Sequence, residues 1–514
     1  MAEHPAGAAP HTGDEPADGH RTMIELTLAR LEEHGDRVAI TVDDADTPAE
    51  WTYRDVLDRV RIEARRLDGC GVRRGDVVAI MAGTTPIGLV LRWAVNVVGA
   101  AFTSFADGYS AAAVAELLTT CRARFLVTDH DRRALAADAA ARAGSTTVVD
   151  IDDAYTSADP TPLPVRLRPE DLASISLTGG STGVPKGVPR RAAVPDYSSP
   201  AALAGWRDTV QLVCTPIAHI AGTIALVVLA AGGRVVLQRG FDAGRVLAVV
   251  PREKITTIQL MPRLLHQLLD HPDLDRTDTT SLRRLRIGSA PASAERIGEA
   301  LDRFGPVLGQ TYGSIEATTI TTIGADELAR PELRGTVGRP VPGVTVSIRD
   351  DGGAELPAGA TGEIWVRGSA VMPGYVGDPQ QSAAVLHEGW FRTGDLGHLD
   401  DAGYLTLAGR TKDVIFAEPA RIYPGDVENA LLAHPAVAAA GVFAVADPDG
   451  TESAAAAVVP RPGHSPSPDA LLAWVAERRG PARAPAEIHL VDDLPTTPSG
   501  KIDRAALRRE LTGR

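Results

Sequence analysis

From residue 77 to residue 288, short apolar runs alternate with longer stretches of helical spacing, and this alternation leaves few architectures open. Val77-Val-Ala-Ile-Met, Phe125-Leu-Val-Thr, Thr147-Val-Val-Asp-Ile, Val210-Gln-Leu-Val-Cys, Val235-Val-Leu-Gln, Thr257-Ile-Gln-Leu and Leu285-Arg-Ile-Gly read as strands. Residues 87–98, 262–270 and 292–303 carry helical patterns between them. Strands joined through helices build an open, parallel-rich α/β sheet with both faces covered. Ligands bind such sheets beyond the carboxyl ends of the strands. Upstream, helices are expected from Met23 and just after Trp51, the second with Thr52 as its cap.

The texture changes after about residue 330. Val344-Thr-Val-Ser-Ile-Arg, Gly362-Glu-Ile-Trp-Val-Arg and Gly403-Tyr-Leu-Thr-Leu are short runs parted by glycine turns, which suggests a small antiparallel sheet or distorted barrel. The final hundred residues read as a compact α+β unit, with a strand near 413–416, helices at 426–433 and 469–478, and strands at 440–446 and 454–459. A chain of 514 residues exceeds one simple core, so several units are expected. Residues 1–20, rich in Ala, Gly, Pro and Asp, read as a disordered lead. The large domain then spans 21–410, with a boundary near Arg410–Asp413.

A net charge of -14 argues against a nucleic-acid partner. Cys70, Cys121 and Cys214 are far apart and form neither a metal-ligand spacing nor a disulfide framework. Neither a membrane-spanning apolar run nor a basic-then-apolar leader is present, so the expected location is cytoplasmic.

Chemistry concentrates at residues 176–187, Ser-Leu-Thr-Gly-Gly-Ser-Thr-Gly-Val-Pro-Lys-Gly, directly after an apolar strand. Thr178, Gly179, Gly180, Ser181, Thr182 and Gly183 combine permissive backbone with hydroxyl donors, and Lys186 adds a mobile charge. That set suits a polyphosphate. It is not the Gly-Lys-Ser/Thr loop of ATPases, because Pro185 precedes the lysine and Gly187 follows it. On its own the stretch also reads as a surface loop with an incidental lysine.

The stretch resembles the phosphate loop of the adenylate-forming enzymes: acyl-CoA synthetases, aryl-acid ligases, luciferases and peptide-synthetase adenylation domains. Gly179 departs from that pattern by replacing a serine. Further segments match in order. Thr215-Pro-Ile-Ala-His219 resembles the family's Pro-x-x-His, which implies that His219 walls the acid pocket. Gly288-Ser289-Ala290-Pro291 resembles the segment that lines adenine. Gln310-Thr-Tyr-Gly-Ser-Ile-Glu316 resembles Tyr-Gly-x-Thr-Glu: Tyr312 offers a flat face to a purine, and Glu316 an oxygen ligand for Mg²⁺. Ile315 stands where a hydroxyl residue usually meets the α-phosphate. Asp395, in Gly389-Trp-Phe-Arg-Thr-Gly-Asp, and Arg410 are implied to hold the ribose. Lys501, in Pro-Ser-Gly-Lys501-Ile-Asp-Arg, is implied to join carboxylate and α-phosphate from a mobile C-terminal domain, 413–514. Residues 411–412 are the implied hinge, centred on Lys412.

The implied reaction activates a carboxylic acid with ATP and Mg²⁺ to an acyl-AMP and pyrophosphate. CoA or a carrier-bound phosphopantetheine then accepts the acyl group. The largest departure lies in Phe416-Ala-Glu-Pro419-Ala-Arg421-Ile, where Pro419 takes the place of a glycine along the pantetheine path. Arg421 is retained as a phosphate contact. Two alternatives follow: an adenylating enzyme whose thiolation passes to a partner enzyme or carrier protein, and a catalytically silent nucleotide-binding regulator. Gly288, Ile315 and Thr318, with His219, predict a pocket for a hydrophobic acid.

Overall fold

The computed structural model describes residues 22–44, 48–151, 159–178, 185–193, 203–290, 292–417, 420–446, 452–497 and 501–512. Its first helix, Met23–His34, starts from Thr22, and its second, Tyr53–Gly69, from Thr52. Both starts are capping boxes, in which the threonine hydroxyl takes an orphan backbone N–H and an acidic side chain three residues on returns the favour.

Two parallel-rich sheets carry the large unit. One has six strands, parallel except where Leu172–Leu177 meets Gly187–Arg191. The other has nine, with a parallel centre of Val38–Val42, Val210–Val213, Arg234–Leu237, Thr257–Leu260, Arg284–Gly288 and Leu308–Ser314. The helices Pro86–Val97 and Ile220–Ala230 contribute to one apolar core with strands of both sheets. Both are apolar around most of their circumference, the pattern of helices enclosed on all sides. Thr85 caps the first, and Pro86 supplies a preset φ at its first turn.

Residues 344–410 form a third sheet of five antiparallel strands, Val344–Arg349, Gly362–Gly368, Leu386–His387, Trp390–Leu399 and Leu405–Arg410. Among the described residues it does not close into a barrel: Trp390–Leu399 pairs with three neighbours, and the ends of the sheet do not meet. The 3-10 turn Thr411–Asp413 then leads to the hairpin Ile415–Ala417/Ala420–Ile422.

The last unit has its own core, built from Val437–Ala446, Glu452–Pro460, Glu487–Leu490 and the helices Pro424–Leu432 and Pro468–Arg479. Ala454, Ala456 and Val458 turn one face of their strand into this core, so the alanine-rich stretch is packed strand. Across the join with the large unit, Arg461 lies 3.8 Å from Glu299 and 4.0 Å from Asp270. Buried Arg296 grips the same two carboxylates at 2.7 and 2.9 Å. Two guanidiniums therefore face two carboxylates, with the buried ring of His266 beside them.

Candidate active site

The strands Leu172–Leu177 and Gly187–Arg191 pair as far as Leu177 and Gly187, which narrows the chain to a neck. There Thr178 N–H donates to the Lys186 carbonyl at 2.9 Å, and Lys186 N–H donates to Thr178 Oγ1 at 3.1 Å. Gly179, Gly180, Ser181, Thr182 and Gly183 lie outside the described residues, as do Pro291 and Pro419. Lys186 Nζ donates to Gln381 Oε1 at 3.0 Å and lies 5.0 Å from the centre of the Tyr375 ring. The Tyr375 hydroxyl in turn donates to Glu316 Oε1 at 2.9 Å. Lys186 and Glu316 are thus joined through one tyrosine.

Glu316 stands in the turn between Leu308–Ser314 and Thr318–Ile323. The turn is tight enough that a Cβ on Gly313 would lie 1.9 Å from the Thr318 carbonyl oxygen, so no other residue fits there. Thr318 has a φ of +56°, an uncommon backbone state for a β-branched residue. Ile315 packs against the apolar cluster below, and its carbonyl accepts from Arg190. The isoleucine therefore supports the turn with its side chain and anchors it with its backbone.

Arg284–Gly288 runs beside Leu308–Ser314, and a Cβ on Gly288 would come within 2.8 Å of the Thr311 carbonyl. Ser289 follows in the left-handed region at φ +70°, turning the chain sharply at the strand end, with Ala290 half-buried after it. Backbone stored in such a conformation is held by its surroundings.

Tyr312 donates its hydroxyl to Asp395 Oδ2 at 2.8 Å, while Arg410 Nε meets Asp395 Oδ1 at the same distance. Asp395 and Arg410 face each other directly in the antiparallel ladder, so register puts the ion pair together. Burial first, then the Asp395 charge, pushes the Tyr312 phenol well above its ordinary range, which keeps it a donor.

Lys501 comes to this group from the far end of the chain. Its backbone is tied to Thr497 in both directions: Thr497 N–H donates to the Lys501 carbonyl at 2.8 Å, and Lys501 N–H donates to Thr497 Oγ1 at 3.3 Å. Burial lowers its pKa most and Arg410 next, with Lys412 adding, while Asp395 and Glu316 oppose the shift. The residue keeps an exposed surface, so it is not sealed in a core. His219 starts the helix Ile220–Ala230, and its Nε2 is buried without a hydrogen-bond partner. Burial, Arg92 and Lys501 all hold its pKa down, so the ring is neutral at pH 7. Lys412 sits in the 3-10 turn, 3.9 Å from Asp413, and burial lowers its pKa as well. Arg421 lies 5.6 Å from the centre of the Phe416 ring, on the hairpin of the small unit.

Seven of the expected residues are thus linked by contact or charge: Lys186, His219, Glu316, Tyr312, Asp395, Arg410 and Lys501. A model of the AMP-binding enzymes matches residues 28–376, and one of the AMP-binding enzyme C-terminal domain matches residues 426–501. The chain belongs to the AMP-binding enzyme family. It is an adenylate-forming ligase. A feruloyl-CoA synthase of an Amycolatopsis species is 34% identical over 466 residues, which are 90% of this chain and 94% of that protein. The amide bond synthetase McbA from Marinactinospora thermotolerans superposes with a TM-score of 0.83 at 35% identity, covering 95% of this chain and 99% of that one. ATP-bound MatB from Rhodopseudomonas palustris gives 0.82 at 27% identity, covering 95% and 99%.

Tyr375, Gln381 and Arg92 escaped the sequence reading. Tyr375 and Gln381 reach Glu316 and Lys186 across 59 and 195 residues, a proximity no local pattern records. Arg92 sits in a run of apolar helix, and that interruption was the one available signal. Among the described residues no helix is long and apolar enough to cross a membrane.

Proposed function

We propose that this ligase activates a hydrophobic carboxylic acid with ATP and passes the acyl group to a thiol, CoA in the first instance. The observation that carries the reading is that the Lys501 ammonium lies near enough to Glu316, Asp395 and Arg410 to feel their charges. In the first step a carboxylate oxygen bonds to the α-phosphorus as the bond to pyrophosphate breaks. Two anions approach each other there, and Lys501 offsets their charge, a contribution that positioned cations make in phosphoryl transfer. Asp395 and Arg410 take the ribose, the Tyr312 ring packs on the purine, and Lys186 with the loop from Thr178 takes the outer phosphates. In the second step the thiolate bonds to the acyl carbon and AMP leaves.

Glu316 suits Mg²⁺. It is one hard carboxylate, an oxygen ligand of the kind that Mg²⁺ takes alongside phosphate oxygens. Such an ion would neutralise phosphate charge; orienting the carboxylate and ribose falls to the protein. His219 and the turn of Ile315 and Thr318 wall the acid pocket. Lys412 acts as the hinge about which the unit from 413 turns between the two steps.

Acid-dependent ATP–pyrophosphate exchange across a panel of aryl, medium-chain and polycyclic acids tests the first step. Exchange with none of them would overturn it. Pro419 and the 35% identity to an amide bond synthetase favour a second reading of the acceptor, in which an amine attacks the adenylate. Supplying CoA and simple amines to the exchange-competent enzyme separates the two by product mass.

A further inference from the structure

Arg92 lies in the middle of the buried helix Pro86–Val97 and is 3% exposed. Its Nη2 donates to the Ile217 carbonyl at 2.6 Å, and its guanidinium carbon lies 5.6 Å from the centre of the Phe102 ring. Its Nε is buried and makes no hydrogen bond. Among the described residues it has no ion pair, unlike Arg296, which is as deeply buried but holds Asp270 and Glu299. Burial alone lowers its pKa to about 10, with no carboxylate to raise it. A buried cation without a counter-charge is costly, and proteins keep one where something else supplies the missing partner.

The surroundings point to where that partner comes from. Ile217 belongs to the segment Thr215–His219 that walls the acid pocket. Gly222 faces the same guanidinium: a Cβ there would lie 2.9 Å from Arg92 Nη1. His219 between them has its own orphaned Nε2 and feels both Arg92 and Lys501. Both cations bear electrostatically on the His219 ring, Lys501 from late in the chain and Arg92 from the core helix. The reacting carboxylate belongs to Lys501. Arg92 is left for the opposite end of the acid.

We infer that Arg92 is a specificity residue, and that the acid carries a second oxygen acceptor beyond its apolar body, a hydroxyl, oxo or carboxylate oxygen that the guanidinium binds. The inference rests on the acid-activation reading above. A site with an unsatisfied buried donor discriminates strongly against an analogue lacking the acceptor. The test is exchange kinetics with matched acids, such as cinnamate against 4-hydroxycinnamate and heptanoate against its 7-carboxy analogue. Wild type should favour the oxygenated member of at least one pair by roughly thirtyfold or more in kcat/KM. The two pairs separate a neutral from an anionic group. R92M should bring that ratio near unity while leaving the KM for ATP and the rate with the plain acid within a few-fold. If R92M fails to fold, as a melting curve would reveal, R92Q carries the same expectation. Equal wild-type rates within both pairs, or an R92 variant that slows all acids alike, would overturn the assignment. Absence of exchange with every acid would instead sink the activation reading itself.

Discussion

The Tyr312 hydroxyl is spent on Asp395: at 2.8 Å it donates to one carboxylate oxygen while Arg410 takes the other. The tyrosine therefore aims the carboxylate that the ribose is proposed to meet. A hydrogen bond to a buried charge is worth about 1.5–3 kcal/mol. Y312F should lower kcat/KM for ATP by roughly tenfold or more on that scale, with the acid KM little changed. An unchanged ATP dependence would mean that Arg410 alone positions Asp395.

Tyr375 couples Glu316 to Lys186, by a hydrogen bond at 2.9 Å on one side and ring contact on the other. Y375F keeps the ring beneath the ammonium and removes only the hydroxyl. The Mg²⁺ concentration for half-maximal exchange should rise several-fold, about the worth of one lost orienting hydrogen bond. K186A, by contrast, should raise the KM for ATP, and a Mg²⁺ titration separates the two effects.

In its proposed role Lys501 must be protonated to offset charge, and burial, Arg410 and Lys412 make its proton easier to lose. The alkaline limb of exchange should therefore fall below the ordinary lysine pKa of 10.5. K501A should cut exchange by roughly a hundredfold or more, while acyl transfer from supplied acyl-AMP survives. Equal loss in both half-reactions would remove Lys501 from its proposed step.

Arg461 touches Glu299 and Asp270 only at 3.8–4.0 Å, so its pairing across the units is modest. R461M should reduce exchange by up to about fivefold, matching an ion pair of up to ~1 kcal/mol, and leave transfer from acyl-AMP intact. Added salt should weaken the wild type in the same sense.

His266 adds a pH dependence to stability. Burial, then Arg296, lowers its pKa to about 3, so the folded ring stays neutral where the unfolded one takes a proton below about 6.5. The unfolded state binds more protons in that window, so stability falls as pH drops from about 6.5 toward 3. The slope from this one group is at most about 1.4 kcal/mol per pH unit. Denaturant melts of H266Q should show a shallower fall over the same range than wild type.

The large sheets were legible because strand and helix periods differ so clearly, and Thr52 could be placed as a cap from side-chain chemistry alone. Glu487–Leu490 and the closing helix Arg504–Thr512 were passed over, the first a four-residue run flanked by charge, the second largely polar. Asp395 and Arg410 were named separately; that they face each other follows from a register shift between Leu396 and Gly397 that no residue pattern announces. Arg92 was missed because helix periodicity marks which face is apolar, not which buried charge lacks a partner.

Lys501 follows Glu316 and Asp395 in the chain, so its ammonium leaves the ribosome well after theirs. Until it emerges, a nascent chain has the residues proposed to hold the nucleotide but lacks the cation proposed to make ATP react. On that proposal, the order of translation itself delays turnover until the large unit has had time to fold.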